Sequence, residues 1–232
     1  MDDQKILALF DIDGTILSSG TGARTALSQA IFEVIDKSFK IEPGMCAGKT
    51  DPLIVASFLE EAGCLTEELP KLLPMVKERY IELLRTQYNK KNDAFLYPGI
   101  PELLEKISEQ TNIYLGLLTG NYEQGARIKL DPFHINPLFP IGAFGDDGFV
   151  RTDLSRIAVQ RAEEYYKVKF DSENIVVIGD TADDVACGKI LNARTIGISR
   201  RKETLETLKA SEPDHIFAGS ENVDEIVKAI LG

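Results

Sequence analysis

Few cysteines, few histidines and no long hydrophobic run set the first limits on this 232-residue chain. Its three cysteines, Cys46, Cys64 and Cys187, are odd in number and widely spaced, which argues against a disulfide framework or a CxxC metal site. The two histidines lie far apart in sequence, so histidine-based catalysis is not indicated. No apolar run approaches the roughly 18–20 residues that span a bilayer. We therefore expect a cytoplasmic protein with no membrane partner.

Basic residues are outnumbered by acidic ones. The chain has 26 Lys and Arg against 37 Asp and Glu, a formal net charge of −11. Because nonspecific nucleic-acid binding depends on a surplus of Lys and Arg, no nucleic-acid partner is expected. The acidic and polar first residues also differ from a secretory signal. An acidic protein repels anionic substrates unless a local group reverses the field.

Short apolar runs recur along the chain. They cover residues 6–10, 113–118 and 175–178, and two shorter runs lie at 195–198 and 215–217. Continuous apolar runs of this length are typical of strands buried on both faces of a parallel sheet. Helical patterns lie between them, and this alternation indicates right-handed crossovers. The sequence therefore predicts an α/β fold with a Rossmann-like parallel sheet core and helices on both faces.

The segment from residue 16 to residue 95 breaks this alternation. It contains three amphipathic helical patterns and no convincing strand. The third helix is expected to start after breaks at Pro70 and Pro74. We predict an α-helical cap domain, 16–95, inserted into a core domain that consists of 1–15 and 96–232.

Polar side chains follow the three longer apolar runs. Asp11 and Asp13 come after the first, Thr119 after the second, and Asp180 and Asp184 after the third. Ligands of open parallel sheets bind beyond the carboxyl ends of the strands, so these side chains should converge. One such residue is commonly a helix N-cap, but three sites after three strands favour a shared function. Clustered carboxylates repel one another unless a hard cation such as Mg²⁺ neutralises them.

Three segments around these residues resemble the motifs of the haloacid dehalogenase superfamily. In the family's order, they are Phe10-Asp11-Ile12-Asp13-Gly14-Thr15, Leu118-Thr119-Gly120-Asn121 and Gly179-Asp180-Thr181-Ala182-Asp183-Asp184. The resemblance spans nearly the whole chain, and the helical insertion is similar to the C1 cap of that superfamily. Within the superfamily, the chain is most similar to hydrolases of the phosphoglycolate-phosphatase type.

The resemblance implies different roles for Asp11 and Asp13. Asp11 would attack phosphorus and form an aspartyl-phosphate, and Asp13 would protonate the leaving alcohol and then activate water. Mg²⁺ would be held by Asp11, the backbone carbonyl of Asp13 and Asp180. Asp184, one helical turn after Asp180, would bind the ion directly or through water.

The resemblance also implies a phosphate-binding loop and a lysine. Thr119 and the backbone amides around it, at Gly120 and Asn121, would bind phosphoryl oxygens. The family's lysine is missing from its usual place before the helix that leads to the last motif. Arg151 is the best-placed replacement and Arg156 the second, because arginine can bind phosphate in a bidentate manner.

A loop at residues 44–51 precedes the second helix of the insertion. In similar proteins such a loop reaches the substrate, so Lys49 and Thr50 are candidates for substrate specificity. Lys49 is suited to an anionic leaving group. The alternative is a solvated loop in which Thr50 or Asp51 caps the helix.

These observations together predict a Mg²⁺-dependent phosphatase that hydrolyses a small phosphorylated metabolite through phospho-Asp11. Because one fold hosts several functions, a phosphomutase or a phosphonatase is the first alternative. The phosphonatase would need a lysine that forms a Schiff base, for which Lys49 is available. A phosphate-accepting regulatory module without turnover is the second alternative, and the cap, the length and Asp13 argue against it.

Overall fold

A central sheet of six parallel strands organises the molecule in the computed structural model, which describes residues 4–42, 44–88 and 93–232. In chain order, the strands of the described residues are β1 (Ile6–Phe10), β2 (Leu17–Ser18), β3 (Phe95–Leu96), β4 (Ile113–Leu118), β5 (Ile141–Ala143), β6 (Ile175–Gly179), β7 (Arg194–Ile198) and β8 (His215–Phe217). The sheet has the order β5-β4-β1-β6-β7-β8, and β2 pairs with β3 in a separate ribbon. The predicted α/β fold with a parallel sheet is confirmed.

Strand β1 lies inside the sheet, and its five residues are all apolar and buried. It pairs in parallel with β4 on one side and with β6 on the other. The carboxyl ends of these three strands therefore meet at one edge, which brings together the residues that follow them. Strand β5 was not predicted, because three residues that include a glycine give too short an apolar signal.

Helices cover both faces of the sheet. In chain order, the α-helices of the described residues are α1 (Gly22–Ile35), α2 (Asp51–Glu61), α3 (Leu69–Gln87), α4 (Ile100–Ser108), α5 (Glu123–Leu130), α6 (Leu154–Tyr166), α7 (Ala182–Ile190), α8 (Lys202–Ala210) and α9 (Val223–Leu231). Ala8 and Phe10 of β1 pack in one apolar cluster with α4 and α9. Leu7 and Leu9 pack on the other face, in a cluster with α6. Within the described ranges, no helix is both long and apolar enough to cross a membrane.

Helices α1, α2 and α3, here called the inserted helices, dominate a third apolar cluster. The expected helix breaks at Pro70 and Pro74 are wrong, because α3 begins at Leu69 and includes both prolines. Pro70 lies in the first turn, where a backbone donor has no helical partner. The donor missing at Pro74 costs one helical hydrogen bond, and α3 continues past it to bury Val76 and Tyr80.

The ribbon of β2 and β3 joins the two chain segments that lead into and out of the inserted helices. Leu17 pairs with Leu96, and Ser18 pairs with Phe95, in antiparallel fashion. We expected no strand here, and two-residue strands are too short to leave a pattern in a sequence. The boundaries of the cap domain, 16–95, stay a prediction that the separate apolar cluster supports.

Candidate active site

Three aspartates form a buried carboxylate cluster at the carboxyl edge of the sheet. Asp11 follows β1, Asp180 follows β6, and Asp184 lies in the first turn of α7. One carboxylate oxygen of each lies within 4.8 Å of the other two. Asp11 is 4% exposed and Asp184 is 2% exposed, and Asp180 is partly buried. The structure thus brings together the side chains of three of the four residues predicted to hold a metal.

A capping box fixes Asp184 at the start of α7. The Thr181 hydroxyl accepts a hydrogen bond from the Asp184 amide (3.3 Å), and the Asp184 carboxylate accepts one from the Thr181 amide (3.0 Å). These bonds satisfy backbone donors that a helix N-terminus leaves free. Asp183, the next residue back, is exposed.

The donor set of the cluster fits a divalent cation. Oδ1 of Asp180 is buried and has no hydrogen-bond partner among the described residues. Burial raises the pKa of Asp180 well above its usual value, and the charges of Asp11 and Asp184 raise it further. A hard cation would give that oxygen a partner, and carboxylate oxygens are the ligands that Mg²⁺ prefers.

Gly14 makes room for Asp180. Its φ is +94°, in the left-handed region that favours glycine. A Cβ atom at this position would lie 2.2 Å from Oδ2 of Asp180, far inside contact distance. The glycine of the first motif therefore permits both the turn after Asp13 and the close approach of Asp180.

Arg151 reaches the cluster beside the end of β4. Its Nη2 donates hydrogen bonds to Oδ1 of Asp11 (2.6 Å), Oδ1 of Asp184 (2.5 Å) and the carbonyl of Leu118 (3.1 Å). Burial raises the pKa of Asp11 to about 6, and the charge of Arg151 acts in the opposite direction. Arg156 lies exposed on α6. Of the two candidates for the family's lysine, the structure places Arg151 beside Asp11.

Asp13 has a different set of partners. Its carboxylate accepts hydrogen bonds from Nζ of Lys129 (2.6 Å), Nδ2 of Asn121 (2.9 Å) and the hydroxyl of Ser19. Burial alone would raise the pKa of Asp13, but Lys129 and the three hydrogen bonds outweigh burial and lower the pKa. The side chain of Asp13 is thus outside the carboxylate cluster. Its backbone carbonyl is the group that the family resemblance assigns to the metal.

Sequence analysis missed Lys129 and Ser19 as members of the site. Lys129 lies in α5 and is 5% exposed. It follows the buried Ala126 by three residues and precedes the buried Leu130, so it interrupts an apolar stripe. A lysine in such a stripe is a signal for a buried partner, because lysine is rarely buried unless it is paired. Ser19 lies in a linker, where serine is common and gives no signal.

The segment after β4 carries the predicted phosphate-binding residues. Thr119 is fully buried; its amide donates to the carbonyl of Ala143 (3.1 Å), and its hydroxyl accepts from Nδ2 of Asn121 (2.8 Å). Gly120 and Asn121 line a cavity that the carboxylates also line. A Cβ atom at Gly120 would lie 2.2 Å from the carbonyl oxygen of Lys49. Glycine is therefore required where the loop before α2 crosses this segment.

That cavity, of about 210 Å³, lies between the sheet edge and the inserted helices. Its core side includes Asp11, Asp13 and Asp180. The inserted helices add apolar and basic side chains, among them Ala23, Arg24, Leu27, Ile54 and Tyr80. Among the described residues of the lining, five basic side chains offset five acidic ones, so the cavity lacks the net negative charge of the whole chain.

The two candidates for substrate specificity, Lys49 and Thr50, lie in different surroundings. Lys49 is exposed and lines the cavity. Thr50 is fully buried; its hydroxyl donates to the carbonyl of Phe149 (2.7 Å) and accepts from the amide of Leu53 (3.4 Å) as the N-cap of α2. The structure therefore gives Thr50 the capping role that was the alternative, and Lys49 stays a candidate for contact with substrate.

Known proteins resemble this chain along almost its whole length. The chain matches the family of haloacid dehalogenase-like hydrolases over residues 7–191. A phosphoglycolate phosphatase of Vibrio parahaemolyticus is 23% identical over 228 residues, which cover 97% of this chain and 96% of that protein. Pyrophosphatase PpaX of Bacillus velezensis is 23% identical over 230 residues, with 94% of each chain covered. The crystal structure of a predicted phosphoglycolate phosphatase from Haemophilus somnus 129pt has a TM-score of 0.73 at 18% identity and covers 98% of this chain and 99% of its own.

Proposed function

Because the chain belongs to the haloacid dehalogenase-like hydrolases, we propose that it is a Mg²⁺-dependent phosphatase of small phosphomonoesters. The observation that carries the proposal is the contrast between two aspartates. Asp11 belongs to a buried carboxylate cluster suited to a divalent metal, whereas Asp13 is held apart from that cluster by Lys129 and Asn121. Two carboxylates in different environments can take two roles in one reaction.

In the proposed reaction, a carboxylate oxygen of Asp11 attacks phosphorus, and the bond between phosphorus and the leaving oxygen breaks. Asp13, once it has taken the proton of the phosphomonoester monoanion, gives that proton to the leaving oxygen, so the alcohol leaves neutral. Asp13 then takes a proton from a water molecule, whose oxygen attacks phosphorus of the aspartyl-phosphate and releases Asp11 with free phosphate. Asp13 passes the proton that it gains from water to the released phosphate, so the cycle balances.

Asp11, Asp180 and Asp184 would hold Mg²⁺ together with the backbone carbonyl of Asp13. When held by these groups, Mg²⁺ would supply positive charge to the phosphoryl group. Oδ1 of Asp180, which has no partner within the described part of the chain, supports this assignment, because a buried carboxylate oxygen without a partner is costly.

Thr119 and the backbone amides of Gly120 and Asn121 would bind the phosphoryl oxygens, and Arg151 would add positive charge. One nitrogen of Arg151, Nη2, makes all three of the hydrogen bonds described above. Its Nε is buried and has no partner among the described residues. A guanidinium group has five donors, so Arg151 retains donors for a phosphoryl oxygen while it contacts Asp11.

We further propose that residues 16–95 form a cap domain over a core of residues 1–15 and 96–232. The separate apolar cluster of the inserted helices and the ribbon at the two linkers support this division. Closure of the cap would exclude bulk water from the reaction and would select substrates that fit the cavity. Lys49 would contact an anionic group on the leaving alcohol.

The proposal is tested by measuring phosphate release from a panel of phosphomonoesters in the presence of Mg²⁺. We expect the purified protein to hydrolyse at least one small ester, and we expect Asp11→Asn to hydrolyse none, because the amide is a poor nucleophile. An inert wild-type protein, or full activity in Asp11→Asn, would contradict the proposal. Turnover of a sugar phosphate without phosphate release would instead support the mutase alternative.

A further inference from the structure

Lys129 is a buried cation of the site to which the family resemblance gives no task. Its Nζ lies 2.6 Å from Oδ2 of Asp13 and 2.5 Å from Oδ1 of Asn121. The side chain of Lys129 is 6% exposed. A buried ammonium is costly unless it is paired and hydrogen-bonded, so these partners account for its place in the fold.

We infer that Lys129 is a positioning residue for Asp13. Its ammonium holds the carboxylate of Asp13 in the cavity and away from the Asp11 cluster. The inference rests on the proposed function, in which Asp13 moves a proton to and from the reacting oxygens. It extends that function to a residue of α5 that lies outside the three motifs.

The first argument is that Lys129, Asn121 and Asp13 form a closed triangle of hydrogen bonds. Lys129 donates to both of the other residues, and Nδ2 of Asn121 donates to the same Asp13 oxygen, Oδ2, at 2.9 Å. Lys129 thereby fixes which way the Asn121 amide faces, since its oxygen must point to the ammonium. The Ser19 hydroxyl donates to the other oxygen of Asp13, Oδ1. Rotation of the Asp13 carboxylate would therefore break bonds on both of its oxygens.

The second argument is electrostatic. The cluster that contains Asp11 and Asp180 suits a divalent cation, which attracts any free carboxylate nearby. The ammonium of Lys129, bonded to Oδ2 of Asp13 at 2.6 Å, opposes that attraction, and without it the Asp13 side chain would be drawn towards the cluster as an additional ligand. Lys129 thus pairs with Asp13 outside the cluster, whereas Arg151 pairs with two carboxylates inside it.

The third argument is that groups of the inserted helices, as well as Asp13, favour the charged form of Lys129. The charge of Asp51 in α2 and the hydroxyl of Tyr80 in α3 both act on the ammonium. Burial alone would lower the pKa of Lys129, but Asp13, Tyr80 and Asp51 outweigh burial and raise it. The lysine therefore lies as a cation between the core and the inserted helices.

The test compares Lys129→Met, which keeps most of the side-chain length, with the wild-type protein. We expect kcat to fall about 30- to 100-fold, part of the roughly 10²–10⁴-fold that acid–base catalysis supplies, while KM changes less than about threefold. Lys129→Gln retains a donor for Asp13 and should lose less; it also serves as the test variant if Lys129→Met does not fold. The matched control is Arg127→Met on the same helix, because Arg127 donates to the carbonyl of Phe139 and lies outside the site. Its kcat should equal that of the wild-type protein.

A double variant separates positioning from a general structural effect. In an Asp13→Asn background, Lys129→Met should cause no further loss of kcat, because the group that Lys129 positions is already gone. An equal loss in both backgrounds would overturn the inference. A higher KM with unchanged kcat would also overturn it, because Lys129 would then bind substrate instead of positioning Asp13.

The side-chain amide signal of Asn121 in an NMR spectrum gives a readout that does not depend on turnover. It should shift in Lys129→Met and in Asp13→Asn, and it should stay in place in Arg127→Met. A signal unchanged by Lys129→Met would overturn the positioning role even in an active phosphatase. A wild-type protein that hydrolyses no ester would instead refute the proposed function, and the amide signal would still decide whether Lys129 holds Asp13.

Discussion

Asp11 and Asp13 are separated by one residue, yet the structure surrounds them in opposite ways. Burial, with the charges of neighbouring carboxylates, raises the pKa of Asp11 to about 6. Burial also acts to raise the pKa of Asp13, but the ammonium of Lys129 and three hydrogen bonds reverse that effect and lower it. Asp11 thus lies in a cluster of three carboxylates whose negative charge Arg151 only partly neutralises, whereas the Lys129 ammonium is a direct partner of Asp13.

This difference follows from the elements that meet at each residue. Asp11 follows the strand that pairs with both β4 and β6, so residues at the ends of all three strands crowd around it. Ile12 is fully buried, and Asp13 after it faces α5 and the linker at Ser19. Separate surroundings of this kind let one carboxylate serve as nucleophile while another moves protons.

Metal removal should have the largest effect on turnover, and it should act through the cluster that contains Asp11. We expect EDTA to abolish turnover and added Mg²⁺ to restore it, because the transferring phosphoryl group loses its neutralising charge. Mg²⁺ should also raise the thermal unfolding temperature of the wild-type protein. That shift should vanish in Asp180→Asn and persist in Asp13→Asn, which keeps its backbone carbonyl. Equal shifts of the unfolding temperature in Asp180→Asn and Asp13→Asn would contradict the assignment of the metal to the Asp11 cluster.

Loss of Arg151 should have the next largest effect. Arg151→Ala should lower kcat by roughly 10²–10³-fold, because it removes charged donors from the transition state and leaves Asp11 and Asp184 without their partner. Arg156→Ala is the matched control, since Arg156 is exposed on α6. Steady-state kinetics measure kcat for both variants. An unchanged kcat in Arg151→Ala would contradict a role for Arg151 in the reaction at Asp11.

A smaller effect is expected from Lys49. It lines the cavity but makes none of the hydrogen bonds described for Asp11 and Asp13. Lys49→Ala should raise KM about tenfold, or ~1.4 kcal/mol, for an ester whose alcohol carries a negative charge. An ester with a neutral alcohol serves as the control and should keep its KM. Equal effects on the two esters would show that Lys49 does not contact the leaving group.

The last expected effect is on stability instead of turnover, at the buried carboxylate of Asp51. Asp51 is 8% exposed, and its carboxylate accepts a hydrogen bond from the Tyr122 amide (2.8 Å). Burial raises its pKa to about 6, above the ~3.9 of an unfolded chain. The folded state therefore holds this proton more tightly, and its stability should fall by up to ~3 kcal/mol as the pH rises from about 4 to 7.

Asp51→Asn should remove that part of the pH dependence. Urea unfolding at several pH values measures the effect, and the variant should lose less stability than the wild-type protein between pH 4 and 7. Glu60→Gln, at an exposed position of the same helix, is the matched control. Parallel curves for Asp51→Asn and the wild-type protein would contradict the prediction.

The sequence made the Asp11 side easier to predict than the Asp13 side. Asp11, Asp180 and Asp184 follow strands with strong apolar signals, and parallel pairing forces such residues to one edge. Lys129 reaches Asp13 only because of how α5 packs, which no local pattern specifies. The sequence around Ser19 also gives no signal of its contact with Asp13, because that contact depends on the path of a linker.

The inserted helices show the same limit. Their number and approximate positions followed from amphipathic spacing, which packing preserves. The start of α3 was predicted wrongly, at the prolines Pro70 and Pro74. A local pattern does not include the apolar surface that the longer helix buries. The role of Thr50 also depends on a carbonyl distant in sequence, at Phe149. Tertiary contacts decide each of these cases.

The most direct test of the central claim is to trap the phosphoryl group on Asp11. Wild-type protein turning over a substrate with Mg²⁺ is quenched in acid and reduced with borohydride, which converts an aspartyl-phosphate to homoserine. Peptide mass spectrometry then locates the modified position. We predict homoserine at position 11 and unmodified aspartate at position 13. Homoserine at position 13, or no modified carboxylate in a protein that is turning over, would contradict the roles assigned to the two aspartates.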